Sequence, residues 1–341
     1  MKKGAVTIKD LALELKISPS TVSRALANNP LVKLSTRKEV QKLAKAYNYQ
    51  PNFTALSLKH SKTRTLGIII PDIVHEFFGL VIRGIEDFAY NRGYNVIICS
   101  THEMYQREVL VTKALLNGRV DGIMACISKE STNYDHFKEV DSRNIPLVFF
   151  DCICDEIESH RVIVDDYLSG SEAAKHLIAK GCKMPAFLGG PENLSIIKDR
   201  LAGFKKAFEE AGLELPSHNI IHCDSGNYED GLEAAQKFNL DKVDGLFATA
   251  DMLAIGAIKT FKAKNAKIPE DIAVIGFSNW SVSEIYEPAL TTINQPGYEM
   301  GFKSAELLIQ QIEDDEPSKF ETHILPTSLE IRESTNVSTG N

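Results

Sequence analysis

LKISPSTVSRALANN, residues 15–29, decides how this chain is read. Ser18 is a good helix N-cap, and Pro19 suits the first helical position, where its missing N–H costs nothing. Val22, Ala25 and Leu26 then fall on one face, which leaves Pro19, Ser20, Ser23 and Arg24 outward. The outward face is therefore short-chained near the helix start and ends in a guanidinium. Upstream, Thr7 with Asp10 three residues on resembles a capping box with Asp in place of Glu or Gln. Ile8, Leu11, Ala12 and Leu15 line the helix it opens, and Lys16-Ile17 makes the turn. Downstream, a third helix begins at Ser35 or Thr36 and is expected to bury Val40, Leu43, Ala44 and Tyr47.

Charge marks this segment off from the rest. Residues 1–64 hold 13 Lys+Arg against 3 Asp+Glu, whereas the remainder holds 25 against 43, within a total net charge of −8. A basic piece on an acidic body points to a polyanionic partner for that piece alone. Two short helices joined by a tight turn and braced by a third form a helix-turn-helix unit, and the major groove admits one helix. Small side chains at the N-terminal end of the second helix permit close approach to base edges, and Arg24 can donate twice to a guanine. Lys9 and Lys38 are placed to hold phosphates.

TIKDLALELKISPSTVSRALANNP, followed by STRKEVQKLAKAYNYQPN, resembles the headpiece of the LacI/GalR bacterial transcription regulators, and the likeness continues along nearly the whole chain. The run TVSRALAN and the later YQPN carry it. The resemblance places base reading on Pro19, Ser20 and Arg24. It places phosphate or backbone contacts on Thr7, Ser18, Thr21, Ser23, Asn28 and Thr36. Pro19 departs from the polar or aromatic residue more usual there, which leaves the base preference open. Residues 51–64 read as a linker of about two weak amphipathic turns, too short to be helical alone. The resemblance makes this segment a hinge helix that forms when two subunits meet on operator DNA, with Leu58 as the minor-groove wedge. Leu56 stands where the family often has a polar or basic residue.

With 341 residues, the chain has room for two or three domains. From Thr65 onward, apolar β-branched runs alternate with amphipathic helices, the pattern of parallel sheets covered on both faces. The expected fold is α/β: a three-helix helix-turn-helix headpiece over 1–50, the hinge over 51–64, and a body over 65–341. The resemblance makes that body periplasmic-binding-protein-like, with two doubly wound parallel-sheet subdomains. Crossovers near Asp165, Thr292 and Pro326 give subdomain one 65–164 and 293–325, and subdomain two 165–292 and 326–341. A ligand is expected between them, at the carboxyl ends of the strands.

No catalytic set emerges. There is neither a GxxxxGK[ST] nor a GxGxxG pattern, and HEFFG at His75 and HEMYQ at His102 lack the second histidine of a zinc helix. Cysteines 99, 126, 152, 154, 182 and 223 show no zinc spacing, so neither metal nor cofactor is expected. Cys99 and Cys126 read as small buried hydrophobes. No signal-peptide core follows Met1 and no run reaches the ~18 apolar residues of a membrane span. A cytoplasmic protein is the expectation.

For the effector, the resemblance selects Phe77 and Phe78 for ring stacking. It selects Asp151 and Arg200 for hydroxyl or acidic groups. Ser278 replaces an acid usual after the late strand, and Ser278, Asn279 and Trp280 are expected to line the effector cleft with those residues. Asp251 matches a family acid of structural or ligating role. The implied function is a non-enzymatic, homodimeric repressor of operator DNA, controlled by a small polar effector of the sugar class. The alternatives are a solute-binding protein and a sugar-modifying enzyme with an accessory DNA-binding domain. The first is disfavoured by the basic headpiece and the second by the lack of a nucleophile or acid/base set. No leucine heptads close the chain, so a coiled-coil tetramer is not expected.

Overall fold

Thr7 opens the first helix through a reciprocal cap: its backbone N–H donates to the Asp10 carboxylate at 2.9 Å, and its hydroxyl accepts from Asp10 N. The computed structural model describes residues 6–49, 62–314 and 319–336, and Leu58 and most of the hinge lie outside them. The chain divides into two units, Met1–Arg64 and Thr65–Asn341.

In the first unit, α1 (Ile8–Glu14), α2 (Pro19–Leu26) and α3 (Leu34–Ala46) surround a small core. Leu11, Ala12, Val22, Ala25, Val32, Val40 and Ala44 are buried there. Ser18 caps α2, accepting from Thr21 N at 3.1 Å, with Pro19 as the first helical residue. Two details correct the sequence reading. α3 starts at Leu34 on Lys33, without a side-chain cap, and Leu34 itself is exposed. Tyr47 is 43% exposed, because its hydroxyl reaches across to the Glu14 carboxylate at 2.7 Å rather than entering the core.

The second unit contains two six-stranded sheets. Sheet one runs β11 (Thr322–Leu325), β5 (His160–Val164), β4 (Leu147–Phe150), β3 (Gly122–Ala125), β1 (Thr65–Ile70), β2 (Asn95–Ser100), all parallel. Sheet two runs β12 (Ser328–Glu330), β10 (Thr291–Asn294), β9 (Ala273–Phe277), β8 (Gly245–Ala248), β6 (Pro185–Gly189), β7 (Ile220–His222), parallel except for the β10–β12 pair. The central strands are buried end to end, as a sheet covered on both faces requires.

Helices α4 (Glu76–Asn91), α5 (Tyr105–Asn117), α6 (Asp135–Ser142) and α12 (Gly297–Glu313) cover sheet one. α7 (Asp166–Ala179), α8 (Ser195–Glu210), α9 (Tyr228–Ala234) and α10 (Asp251–Ala263) cover sheet two, and the short α11 (Ser281–Ile285) precedes β10. The chain crosses between sheets after Val164 and again between Leu325 and Ser328. The middle crossing falls after Asn294, not at Thr292. β10 stays in register with β9 through Ile293 and with β12 through Asn294, so 293–294 belong to the second sheet.

Candidate ligand cleft and DNA-binding surface

Seven strands of the body end on one cavity of about 610 Å³. Pro71 follows β1, Cys126 follows β3, Asp151 follows β4, Gly190 follows β6, Thr249 follows β8, Ser278 follows β9 and Gln295 follows β10. Carboxyl ends of parallel strands form such crevices because the loops there diverge. The volume suits a small molecule.

One wall is aromatic. Phe77 and Phe78, buried in the first turn of α4, pack edge to face at 5.2 Å, and His75 just before the helix meets Phe78 at 5.3 Å. The half-buried Trp280 indole stands edge-on to His75, with ring centroids 4.4 Å apart. Neither His75 Nδ1 nor Trp280 Nε1 has a hydrogen-bond partner among the described residues. Burial lowers the His75 pKa to about 4, against a smaller opposing pull from Asp72, so the imidazole is neutral near pH 7.

The facing groups are polar and connected. Asp151 ends β4 with φ 57°, a left-handed conformation that Asp tolerates better than most residues. Its Oδ1 accepts from Gln295 Nε2 at 3.2 Å, and Gln295 Oε1 accepts from the Ser278 hydroxyl at 2.9 Å. Ser278 itself has φ 101°. Burial raises the pKa of Asp151, and the nearby Arg200 resists that rise.

Arg200 is 4% exposed, and its Nε donates to Asp166 Oδ1 at 2.7 Å while Nη1 donates to Thr249 O at 3.1 Å. Its guanidinium lies 3.4 Å over the Phe277 ring. This arrangement depends on the close approach of α7 and α8 through Gly170 and Gly203, where an added methyl group would overlap facing backbone. Arg200 sits in the second turn of α8, which starts at Ser195. Burial lifts Asp166 to about pKa 6, with Arg200 opposing.

Two residues from the same loop part company. Trp280 lines the cavity with Ser278, but Asn279 turns away. With φ 53°, its Nδ2 donates to Asn294 Oδ1 at 3.2 Å and its Oδ1 accepts from Arg332 Nη2 at 2.7 Å. Asp251 does not line the cavity either. It is 1% exposed, accepts from Thr292 Oγ1 at 2.5 Å and from Trp280 N at 2.7 Å, and so holds the Trp280 loop.

Sequence reasoning did not select His75, Gln295, Glu103 or Lys129, all of which line the cavity. Lys129 Nζ reaches Asp224 O at 3.2 Å, and Lys129 O accepts from Asn193 Nδ2 at 2.9 Å. On the other rim, Glu76 accepts from Ser281 N at 3.0 Å and from its hydroxyl at 3.0 Å. These bonds join the subdomains across the cleft, and no local sequence pattern signals them.

In the first unit, Pro19, Ser20 and Arg24 are exposed on α2, and the Arg24 guanidinium takes no hydrogen bond or ion pair among the described residues. Ser18, Ser20 and Thr21 share hydroxyl hydrogen bonds at 2.8 Å at the helix start. Ser23 and Thr36 are half-buried. Asn28 is committed elsewhere: with φ 55° it ends α2, its Oδ1 accepts from Gln41 at 2.7 Å, and its carbonyl accepts from Arg37 at 3.1 Å. It braces α3, and only its amide nitrogen is left for a backbone contact.

An exposed recognition-type helix on a basic unit, in a chain that also carries a two-sheet ligand cleft, defines a ligand-responsive DNA-binding regulator. Residues 7–52 match the bacterial regulatory proteins of the lacI family, and residues 174–335 match a periplasmic binding protein-like domain. The ribose operon repressor of Halalkalibacterium halodurans is 32% identical over 332 residues, 96% of this chain and 97% of that protein. The transcriptional repressor CytR of Escherichia coli K12 is 33% identical over 316 residues, covering 92% and 91%. A LacI family regulator from Enterococcus faecium, solved with bound ribose, is 30% identical with a TM-score of 0.70, covering 79% of this chain and 98% of that one. The chain belongs to the LacI family. Among the described residues, no helix is long and apolar enough to cross a membrane.

Proposed function

We propose that this chain is a cytoplasmic, homodimeric repressor that binds palindromic operator DNA and is controlled by a small sugar or sugar derivative. Pro19, Ser20 and Arg24 read bases; Thr7, Ser18, Thr21, Ser23 and Thr36 hold the backbone; and Leu58 wedges the minor groove. Phe77, Phe78, Asp151, Arg200, Ser278 and Trp280 take the effector. The observation that carries the effector class is the cavity's division into an aromatic wall and a polar, hydrogen-bonded side. A pyranose or furanose has the same division, with apolar C–H faces and a rim of hydroxyls. The ribose in the Enterococcus faecium regulator and the name of the ribose operon repressor support that class.

Control follows from linkage. A ligand held by both subdomains favours the geometry in which the cleft is closed, and operator affinity shifts by the difference in effector affinity between the two states. A thermal-shift screen of pentoses, hexoses, their phosphates and nucleosides, followed by gel shift on the chain's own upstream DNA with each hit, tests the reading. A hit that raises the melting temperature and changes operator affinity supports it. Operator binding insensitive to every stabilising hit overturns the allosteric part, and no operator binding at all overturns the whole.

A further inference from the structure

Cys126, Asp151 and Cys152 place two sulfurs and a carboxylate oxygen within 4.8 Å of one another on the cleft floor. They are the only such group of three His, Cys, Asp or Glu ligands among the described residues. We propose that they form a site for a thiophilic divalent cation of the zinc class, with its open position facing the effector cavity. The C-x-C spacing of Cys152 and Cys154 is not the relevant pair. Parallel pairing of β3 with β4 sets the end of one strand beside the end of the other, and so brings together cysteines 26 positions apart.

The distances suit a tetrahedral ion. Bonds of ~2.3 Å to sulfur and ~2.0 Å to oxygen hold sulfur and oxygen ligands roughly 3.5 Å apart. Asp151 Oδ2 lies 3.8 Å from Cys126 Sγ and 3.9 Å from Cys152 Sγ, a few tenths of an ångström beyond that spacing, and the two sulfurs lie within 4.8 Å of each other.

The backbone beneath is already fixed. Cys126 N donates to Ile69 O at 3.0 Å, Asp151 N to Val162 O at 3.0 Å, and Ile127 N to Cys152 O at 3.1 Å. The left-handed turn at Asp151 aims its carboxylate and the following thiol into one space. Held Sγ and Oδ atoms on hydrogen-bonded strand ends are what a preorganised site needs. All three residues line the cavity, so the fourth position opens onto it, where a water would sit.

Two thiolates and one carboxylate select a borderline-soft ion over magnesium or calcium, which require mostly oxygen. Binding releases the two thiol protons to solvent and changes no oxidation state. The Oδ1 that Gln295 holds is distinct from the Oδ2 facing the sulfurs, so both interactions coexist. The site rests on its own side chains and not on the sugar reading.

Full-length protein, reduced and kept under nitrogen, is titrated with cobalt(II) chloride while thiolate-to-cobalt charge-transfer absorption and tetrahedral visible bands are recorded. One equivalent is expected to saturate both signals, and one equivalent of zinc to bleach them. Cys152→Ser and Cys126→Ser each lose the charge-transfer intensity at one equivalent, whereas Cys154→Ser and Cys223→Ser keep it. Asp151→Asn retains sulfur absorption but binds at least 10-fold more weakly. Cys152 is only half-buried, so its serine variant tests the site even where Cys126→Ser fails to fold. No charge-transfer band in the wild type, or an undiminished band in Cys152→Ser, overturns the proposal. Neither readout uses an effector or DNA, so failure here leaves the repressor reading standing, and failure of that reading leaves this one.

Discussion

Gln295 Nε2 donates to Asp151 Oδ1 at 3.2 Å, and through this bond the crossover segment that follows β10 grips the end of β4 in the other sheet. Gln295 also accepts from Ser278, so one amide couples the late loop of sheet two to the floor of sheet one. The bond matters because Asp151 is half-buried and its charge otherwise depends on Arg200. Gln295→Ala is expected to cost about 1–3 kcal/mol of stability, the usual penalty for orphaning a buried polar partner. It should also weaken effector binding about tenfold by calorimetry. Unchanged affinity with lowered stability would make Gln295 a strut and not part of the binding surface.

Stability should vary with pH through two groups of opposite sign. Asp251 has a folded-state pKa of about 6, above its ordinary 3.8, because burial outweighs its hydrogen bonds. The folded protein then holds more protons than the unfolded chain in that interval. This contribution is full below about pH 4 and is lost as pH rises through 6. His75 is the reverse, with its folded value of about 4 below the ordinary 6.5. Its contribution is full above about pH 6.5 and is lost as pH falls toward 4. Between pH 7 and 5, urea midpoints of Asp251→Asn should fall more steeply than wild type, and those of His75→Phe less steeply. Parallel curves for all three proteins would contradict both assignments.

The legible parts of this molecule were the local ones. Thr7 with Asp10, and Ser18 with Pro19, announce their helices because a cap is decided within four residues. Alternating strands and helices announce the two sheets for the same reason. Tyr47 could not be placed, since a helical stripe position says nothing of a glutamate 33 residues away that draws its hydroxyl outward. Asn279 lies off the cavity lining, its side chain taken up by Asn294 and Arg332, partners that loop spacing does not signal. Cys126 and Cys152 look unrelated until strand pairing makes them neighbours.

The Arg200–Asp166 pair is a buried ion pair with one strong hydrogen bond, so truncating one partner leaves a charge stranded. Arg200→Ala should destabilise the body by about 3–5 kcal/mol. Asp166→Asn combined with Arg200→Met should recover much of that loss, because the unpaired charge is gone. Both variants should lose the change in Trp280 fluorescence that an effector produces, if the guanidinium is needed for binding. A double variant that is stable and still responds would confine Arg200 to a structural role.

Glu76 and Ser281 make a clasp on the opposite rim from Lys129 and Asp224. Glu76 lies outside the cavity lining, so its removal should act on closure alone. Glu76→Ala is expected to weaken effector binding about two- to fivefold, within the ~0.2–1 kcal/mol typical of exposed polar pairs. The loss should appear as faster dissociation in stopped-flow tryptophan fluorescence, with association little changed. A slower association and unaltered dissociation would assign Glu76 to entry of the ligand and not to its retention.

Arg24 and Asn28 stand on the same helix end but should fail in different ways. The Arg24 side chain is exposed and its guanidinium unpaired among the described residues, so Arg24→Ala should leave the melting temperature unchanged. Its effect belongs to DNA: a loss of roughly 1–3 kcal/mol on the operator and relaxed choice at one base pair per half-site, read by gel shift on single-substituted operators. Asn28→Ala removes the bond to Gln41 and places alanine at a positive φ. It should lower stability of the headpiece by about 1 kcal/mol or more, and weaken specific and random DNA alike. The salt dependence separates the two further. Affinity should fall steeply with salt in both variants, because the lysines that displace counterions remain. Equal loss on operator and random DNA for Arg24→Ala, with a shallower salt slope, would reassign that guanidinium to a phosphate.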